Sequence, residues 1–163
     1  KLEENLYVEL PPGYEIYNKV SSLDKNLLDI KDDNIMIPDA VFETALTLPS
    51  SDFQKIIRDM MNIGTLIEIK SVGSELILNC QGDFACQETS LSETNNGLQF
   101  SQISPAETPI QGIFSLKYLL LFTKCTNMCN QIHIHIKNDY PLVIVYSVAN
   151  LGEIKLCLAP NVV

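Results

Sequence analysis

Between Phe53 and Met61 the apolar residues Phe53, Ile56, Ile57, Met60 and Met61 recur at i, i+3, i+4, i+7 and i+8. That spacing places one stripe of a helix in a core and turns the rest to solvent. Ser51, followed three residues later by Gln54, fits a capping box at the helix start, and Gly64 fits a left-handed terminator at its end. Opposite the stripe stand Lys55, Arg58 and Asn62, at i, i+3 and i+7, so two cations share the exposed face. A second helical run, Leu116–Lys124, follows Ser115 as its N-cap and carries Lys117 and Lys124 seven residues apart, two turns along one face.

Elsewhere the pattern has the period of strands. These are predicted at Val41–Leu48, Thr65–Lys70, Glu75–Cys80, Phe84–Ser90, Leu98–Ile103, Pro109–Phe114, Gln131–Ile136, Leu142–Val148 and Ile154–Leu158, with a tight turn at Val72-Gly73 and a polar loop over 92–97. Strand, helix, strand, strand, strand therefore occurs twice. The expected fold is α+β, two β-α-β-β-β units forming a curved antiparallel sheet with both helices on its inner face. Ahead of the repeat lie a short strand, Leu6–Leu10, stopped by Pro11-Pro12-Gly13, and an extended piece, Tyr14–Val20. Residues 21–39 are polar and acidic around the island Ile35-Met36-Ile37-Pro38, which reads as a linker pinned by a few apolar anchors, with a disordered loop as the alternative. The first strands look like part of a sheet whose other strands are absent, so the chain is expected to be the C-terminal part of a longer protein.

At 163 residues and 46% hydrophobic, the chain can bury one sizeable core or two small ones. No apolar run approaches the ~18 residues of a membrane span, and Lys1–Asn5 has no signal-peptide character. Five cysteines at irregular spacing are expected to be reduced intracellular thiols. The net charge of −9 repels nucleic acid from the molecule as a whole, so any DNA contact must come from a local basic strip. Four of the eleven cations sit on the two short helices, and that face is read as one that meets DNA without reading its sequence. The competing reading is an ordinary solvated face, with Lys55 and Asp59 as an i, i+4 pair.

These residues carry a resemblance. Leu48-Pro49-Ser50-Ser51-Asp52-Phe53 through Arg58-Asp59 and Ile63-Gly64 resembles the first helix of the C-terminal domain of proliferating cell nuclear antigen, the DNA sliding-clamp family. Phe114-Ser115-Leu116-Lys117-Tyr118-Leu119 with Phe122-Thr123-Lys124 is similar to its last helix, and Asp139-Tyr140-Pro141-Leu142-Val143 and Leu158-Ala159-Pro160 also match. The resemblance runs in one register over roughly Asn5 to Pro160. It implies the DNA clamp fold, with residues 1–23 a remnant of the N-terminal clamp domain, 24–42 the interdomain connecting loop and 43–163 the C-terminal clamp domain.

It further implies a non-enzymatic processivity factor: a head-to-tail ring, a homotrimer when full length, encircling double-stranded DNA and tethering DNA polymerase and other proteins that carry a clamp-binding peptide motif. Lys55, Arg58, Lys117 and Lys124 match DNA-facing positions, and Leu120 departs from a position that is often polar. Ile35, Ile37, Phe42, Pro141, Leu158, Ala159 and Pro160 match the partner-peptide groove, where Cys157 replaces a frequent aromatic. Leu6, Val8 and Leu10 would pair with the edge near Phe84 and Cys86 of the next subunit. Without a full N-terminal domain the chain is expected not to close a normal ring. No cofactor is implied. The expected location is intracellular, in the nucleus or at a site of viral DNA replication.

Two other chemistries compete. Cys125, Cys129, His133 and His135 invite zinc, but the two histidines alternate on one strand and the spacing lacks paired knuckles. Cys80 and Cys86 read as buried small hydrophobes. The carboxylates lie in linkers and at strand ends, without a Gly-rich phosphate loop or nucleophile elbow, and Asp29, Asp32 and Asp33 lack calcium-loop spacing. The remaining alternative is a protein-interaction scaffold of clamp-like fold that does not thread DNA.

Overall fold

A computed structural model describes residues 40–103 and 109–161. The expectations for residues 1–39, including the strand with Leu6, Val8 and Leu10 and the loop with Ile35 and Ile37, lie outside the described residues. The elements run β1 (Thr44–Pro49), α1 (Ser50–Met61), β2 (Leu66–Val72), β3 (Glu75–Gln81), β4 (Cys86–Ser92), β5 (Gln99–Gln102) and β6 (Ile110–Ser115). Then follow α2 (Leu116–Phe122), a 3-10 segment (Thr123–Met128), β7 (Gln131–Ile136), β8 (Leu142–Val148) and β9 (Gly152–Leu158).

The β-α-β-β-β order is present twice, and its strands are shared between two antiparallel sheets rather than laid in one. One sheet has the order β4-β3-β2-β6, the other β5-β1-β7-β8-β9. Short connections keep β2-β3-β4 and β7-β8-β9 as meanders, the first turning at Gly73 with φ +57°. Each meander has two edges, and the first strand of the other unit covers one of them: β6 pairs with β2, and β1 with β7. An unpaired edge is a row of unsatisfied amides and carbonyls, so the exchange satisfies both units at once. Alternation decides which side chains enter the core. Ile67, Ile69 and Ser71 on β2, Leu76, Leu78 and Cys80 on β3, and Ile132, Ile134 and Ile136 on β7 are all buried. Strand β8, between β7 and β9, is buried on both faces from Leu142 through Tyr146.

Helix α1 seats Phe53, Ile57 and Met60 in that core, with Ile56 and Met61 packed against it. Its ends differ from the capping expectations. The helix starts at Ser50 behind Pro49, and no side-chain cap bond forms. Ser50 Oγ instead donates to the carbonyls of Cys129 at 2.6 Å and Thr126 at 3.3 Å, because the end of the 3-10 segment lies against this turn. Gln54 is recruited across to the second helix. The last turn closes at Asn62 in a right-handed conformation, and Gly64 is not left-handed. Gly64 is required for space: a Cβ there would stand 2.7 Å from the Gln81 carbonyl oxygen.

The second helix is shorter than its apolar run suggests. The α conformation stops at Phe122, and the Thr123 hydroxyl folds back onto the Leu120 carbonyl at 2.8 Å, so Lys124 belongs to the 3-10 segment. Ser115 is the N-cap residue in position but makes no side-chain cap bond. Cys80 is buried as expected, whereas Cys86 is exposed, because it opens the edge strand β4. All five cysteines are free thiols.

Candidate nucleic-acid face and partner groove

Three hydrogen bonds fix how the helices lie. Ser50 N–H donates to Asn130 O at the start of α1, Gln54 Nε2 donates to Thr123 O one turn on, and Leu116 N–H donates to Thr65 O beyond the far end of α1. The start of α1 thus meets the end of the α2 region, and the end of α1 meets the start of α2. The pair is antiparallel. Lys55 and Lys124 are each one residue from the Gln54–Thr123 bond, while Arg58 and Lys117 lie toward the other end. All four are exposed. The buried residues of both helices belong to the core cluster, and the four cations stand on the exposed positions of the paired segments. Among the described residues none of the four enters an ion pair, so the Lys55–Asp59 bridge of the competing reading is not formed.

The apolar intrusions among these exposed positions are not where the sequence resemblance puts them. Leu120 packs against the core, whereas Tyr118 and Leu121 are about half-exposed beside Lys117. A helical wheel over 116–122 carries that signal: Leu121 lies 40° from Lys117 at ~100° per residue.

On the other side, the outward row of the five-stranded sheet brings Ala45, His135, Val143 and Cys157 into register. Phe42 packs its ring 5.2 Å from that of His135 and edge-on to Tyr140 at 5.9 Å, which seats it beside Pro141. Burial holds the His135 imidazole below its ordinary pKa, with like charge on His133 and Lys155 adding to the effect. Burial likewise pushes the Cys157 thiol up, against the opposing pull of Lys155. Of the groove candidates, Pro141 and Pro160 are half-buried, Ala159 is exposed, and Leu158 turns inward onto the core. Pro160 also lines a cavity of about 460 Å3 between β6, the turn before β8 and the chain beyond β9. Its other walls include Glu68, Gln111, Asn138, Asp139, Tyr140 and Asn161, none of which was singled out as a binding residue from sequence. The Asn138-Asp139 dipeptide before Tyr140-Pro141 was the available signal, as a turn that presents side chains.

The zinc alternative loses its geometry. Cys125 and Cys129 pack against the core cluster, while His133 and His135 lie on the face of β7 opposite its buried isoleucines. At the β4 edge, Phe84 stands fully exposed in the turn ahead of Cys86. Among the described residues, no helix is long and apolar enough to cross a membrane.

The family model of the proliferating cell nuclear antigen C-terminal domain matches residues 36–161. The chain belongs to this family. It is 34% identical over 88% of its length to a probable DNA polymerase sliding clamp 1 of Paramecium bursaria Chlorella virus 1, covering 55% of that protein. It is 33% identical over 82% of its length to a probable DNA polymerase sliding clamp of Acanthamoeba polyphaga mimivirus, covering 28% of it. With the proliferating cell nuclear antigen of Chaetomium thermophilum it shares 27% identity over 89% of its length and 57% of the relative's. The chain thus spans about half, or less, of these relatives. In family terms, the described residues carry the paired helices and the sheet exchange of one clamp domain.

Proposed function

We propose that this chain is the C-terminal portion of a DNA sliding-clamp subunit, which in the whole protein encircles duplex DNA and tethers a polymerase and other replication proteins. The observation that carries the reading is that Lys55, Arg58, Lys117 and Lys124, on α1, α2 and the adjoining 3-10 segment of a net acidic chain, are all exposed where those segments pack side by side. Duplex DNA presents one phosphate charge per ~1.7 Å of axis, so unpaired cations at helical spacing are attracted to it at any register. None of the four needs a base edge, and contacts confined to phosphates position a protein without specifying sequence, as sliding demands. The acidic remainder keeps duplex from adhering elsewhere. The protein acts as a tether rather than a catalyst, and works where the genome is copied, in the nucleus or a viral replication site.

Partners would dock on the outer side, where Phe42, Pro141, Ala159 and Pro160 stand near the end of β9. The β4 edge with Phe84 and Cys86 would receive the strand containing Leu6, Val8 and Leu10 of a neighbouring subunit, and three subunits would close the ring.

The test uses the full-length protein. On short linear duplex, which the protein can bind and leave by the ends, affinity should fall with salt, and Lys55→Ala with Lys124→Ala should reduce the slope of log affinity against log salt by about 0.9 for each phosphate no longer neutralised. An unchanged slope would remove these residues from the DNA face. The half-exposed Tyr118 and Leu121 favour the second reading, a clamp-like scaffold that does not thread DNA. Equal retention on circular and linear DNA would select it.

A further inference from the structure

We propose that the cavity between β6, the Asn138–Tyr140 turn and Asn161 is a subsite for a lysine or arginine side chain of a partner peptide that pairs with the β6 edge; this rests on the outer-groove reading above. The walls are built by hydrogen bonds. Gln111 N–H donates to Asn138 Oδ1 at 2.8 Å, Asn138 Nδ2 donates to Pro109 O at 3.3 Å, and Asn161 N–H donates to Ile113 O at 2.7 Å. These bonds hold the turn and the segment after β9 apart, with a cavity of about 460 Å3 between them. That lies within the ~300–1,000 Å3 typical of ligand sites.

Among the described residues the strand edge between those two anchors is unpaired. Gln111 N–H and Ile113 C=O point away from β2, and a strand residue sends its amide and carbonyl to the same side. The Gln111 carbonyl and the Ile113 amide therefore face the cavity side, and neither is hydrogen-bonded among the described residues. One residue of an extended peptide can satisfy both, as in strand addition at a sheet edge.

The side chain it would carry is set by charge. Glu68, opposite Ile113 on the outward face of β2, and Asp139 line the cavity, and among the described residues no lysine or arginine does. The nearby cations lie outside its lining: Lys137 Nζ sits 5.5 Å over the Tyr140 ring, and Lys70 stands opposite Gln111. Asp139, exposed in the turn, is held at φ +58°, a left-handed conformation uncommon outside glycine and the short polar residues.

The test titrates the full 163-residue chain with synthetic peptides that share one apolar and aromatic plug. Lys, Met or Glu is placed at successive positions on the N-terminal side of that plug. At one position the Lys peptide should bind roughly fivefold tighter than the Met peptide at low salt, and the Glu peptide more weakly than either. Added salt should shrink the difference. Glu68→Gln with Asp139→Asn should abolish it while leaving the Met peptide unaffected, since asparagine keeps the left-handed backbone. Glu68→Lys should turn the preference toward the Glu peptide. Peptides that bind equally at every position, or a Lys advantage that survives both neutralising substitutions, would overturn the subsite and leave the groove standing. If none of the peptides binds, the groove and the subsite fall together.

Discussion

The His135 imidazole has Phe42 against its ring and two basic neighbours, His133 and Lys155. Its pKa is lowered in the folded chain, so the unfolded chain takes up the proton more readily. The associated stability is present above the ordinary value near 6.5 and is lost as pH falls through the lower folded value. Thermal midpoints should therefore fall between about pH 7 and pH 5, and His135→Gln should flatten part of that fall; parallel curves would clear His135 of the effect. Tyr146 shows the opposite sign. Burial, then the Cys125 and Cys129 thiols, pushes its pKa up to about 12 from 10, against a weaker opposing pull from the Thr126 hydroxyl. Its contribution therefore holds below pH 10 and disappears toward pH 12. Neither the Tyr146 hydroxyl nor that of Thr126 makes a well-aligned hydrogen bond among the described residues. Tyr146→Phe should therefore be neutral or stabilising by up to about 1 kcal/mol near pH 7, and a destabilisation larger than that would mean a firmly bonded hydroxyl. Neither shift could be read from sequence: both histidines of β7 look alike there, and only Phe42, arriving from outside the strand, singles out His135.

At the scale of elements, the two helices act as one unit because side chains of α1 bind main-chain carbonyls of the α2 region. Ser50, only 3% exposed, holds the Cys129 carbonyl, and Gln54 holds that of Thr123. Ser50→Ala leaves the part-buried Cys129 carbonyl short of a donor and should cost roughly 1 kcal/mol, read as a lowered denaturation midpoint. Asp52→Asn, exposed in the same first turn, should cost a few tenths at most if the effect belongs to the Ser50 bond. The helices themselves were legible, since an apolar stripe at 3.6 spacing admits one interpretation, and so was the exposure of Lys55, Arg58 and Lys117. The caps were not. Ser51 and Gln54 satisfy the local capping pattern, but a carbonyl 69 residues away competes for Gln54 and wins. Gly64 eludes a local reading for the same reason: its constraint comes from Gln81, on a different strand. Local chemistry is visible in a window of the chain, and partners brought by the fold are not.

For the whole molecule, the decisive feature is the exchange of first strands. The order of elements was legible because hairpin turns and alternation are local, down to Gly73 at φ +57°. The division into two sheets was not, because pairing β1 with β7 and β6 with β2 joins residues roughly 40 to 90 apart, and both strands alternate equally well in either sheet. The same pairing makes each half of the repeat incomplete. A fragment ending after β5 lacks β6 and leaves the edge of β2 open, while its own β1 has no β7 to pair with. The complementary fragment has the matching deficits, and the buried side chains of β1, β2, β6 and β7 belong to one cluster. Each piece alone would expose that apolar face and two unpaired edges, so neither should fold by itself. Expressed separately with the break between β5 and β6, the two fragments should show little fixed structure by circular dichroism. Mixed, they should regain the signal of the intact chain in a one-to-one complex. Cooperative unfolding of either fragment alone would show that a single β-α-β-β-β unit is self-sufficient, and the strand exchange would then be an ornament of the fold rather than its basis.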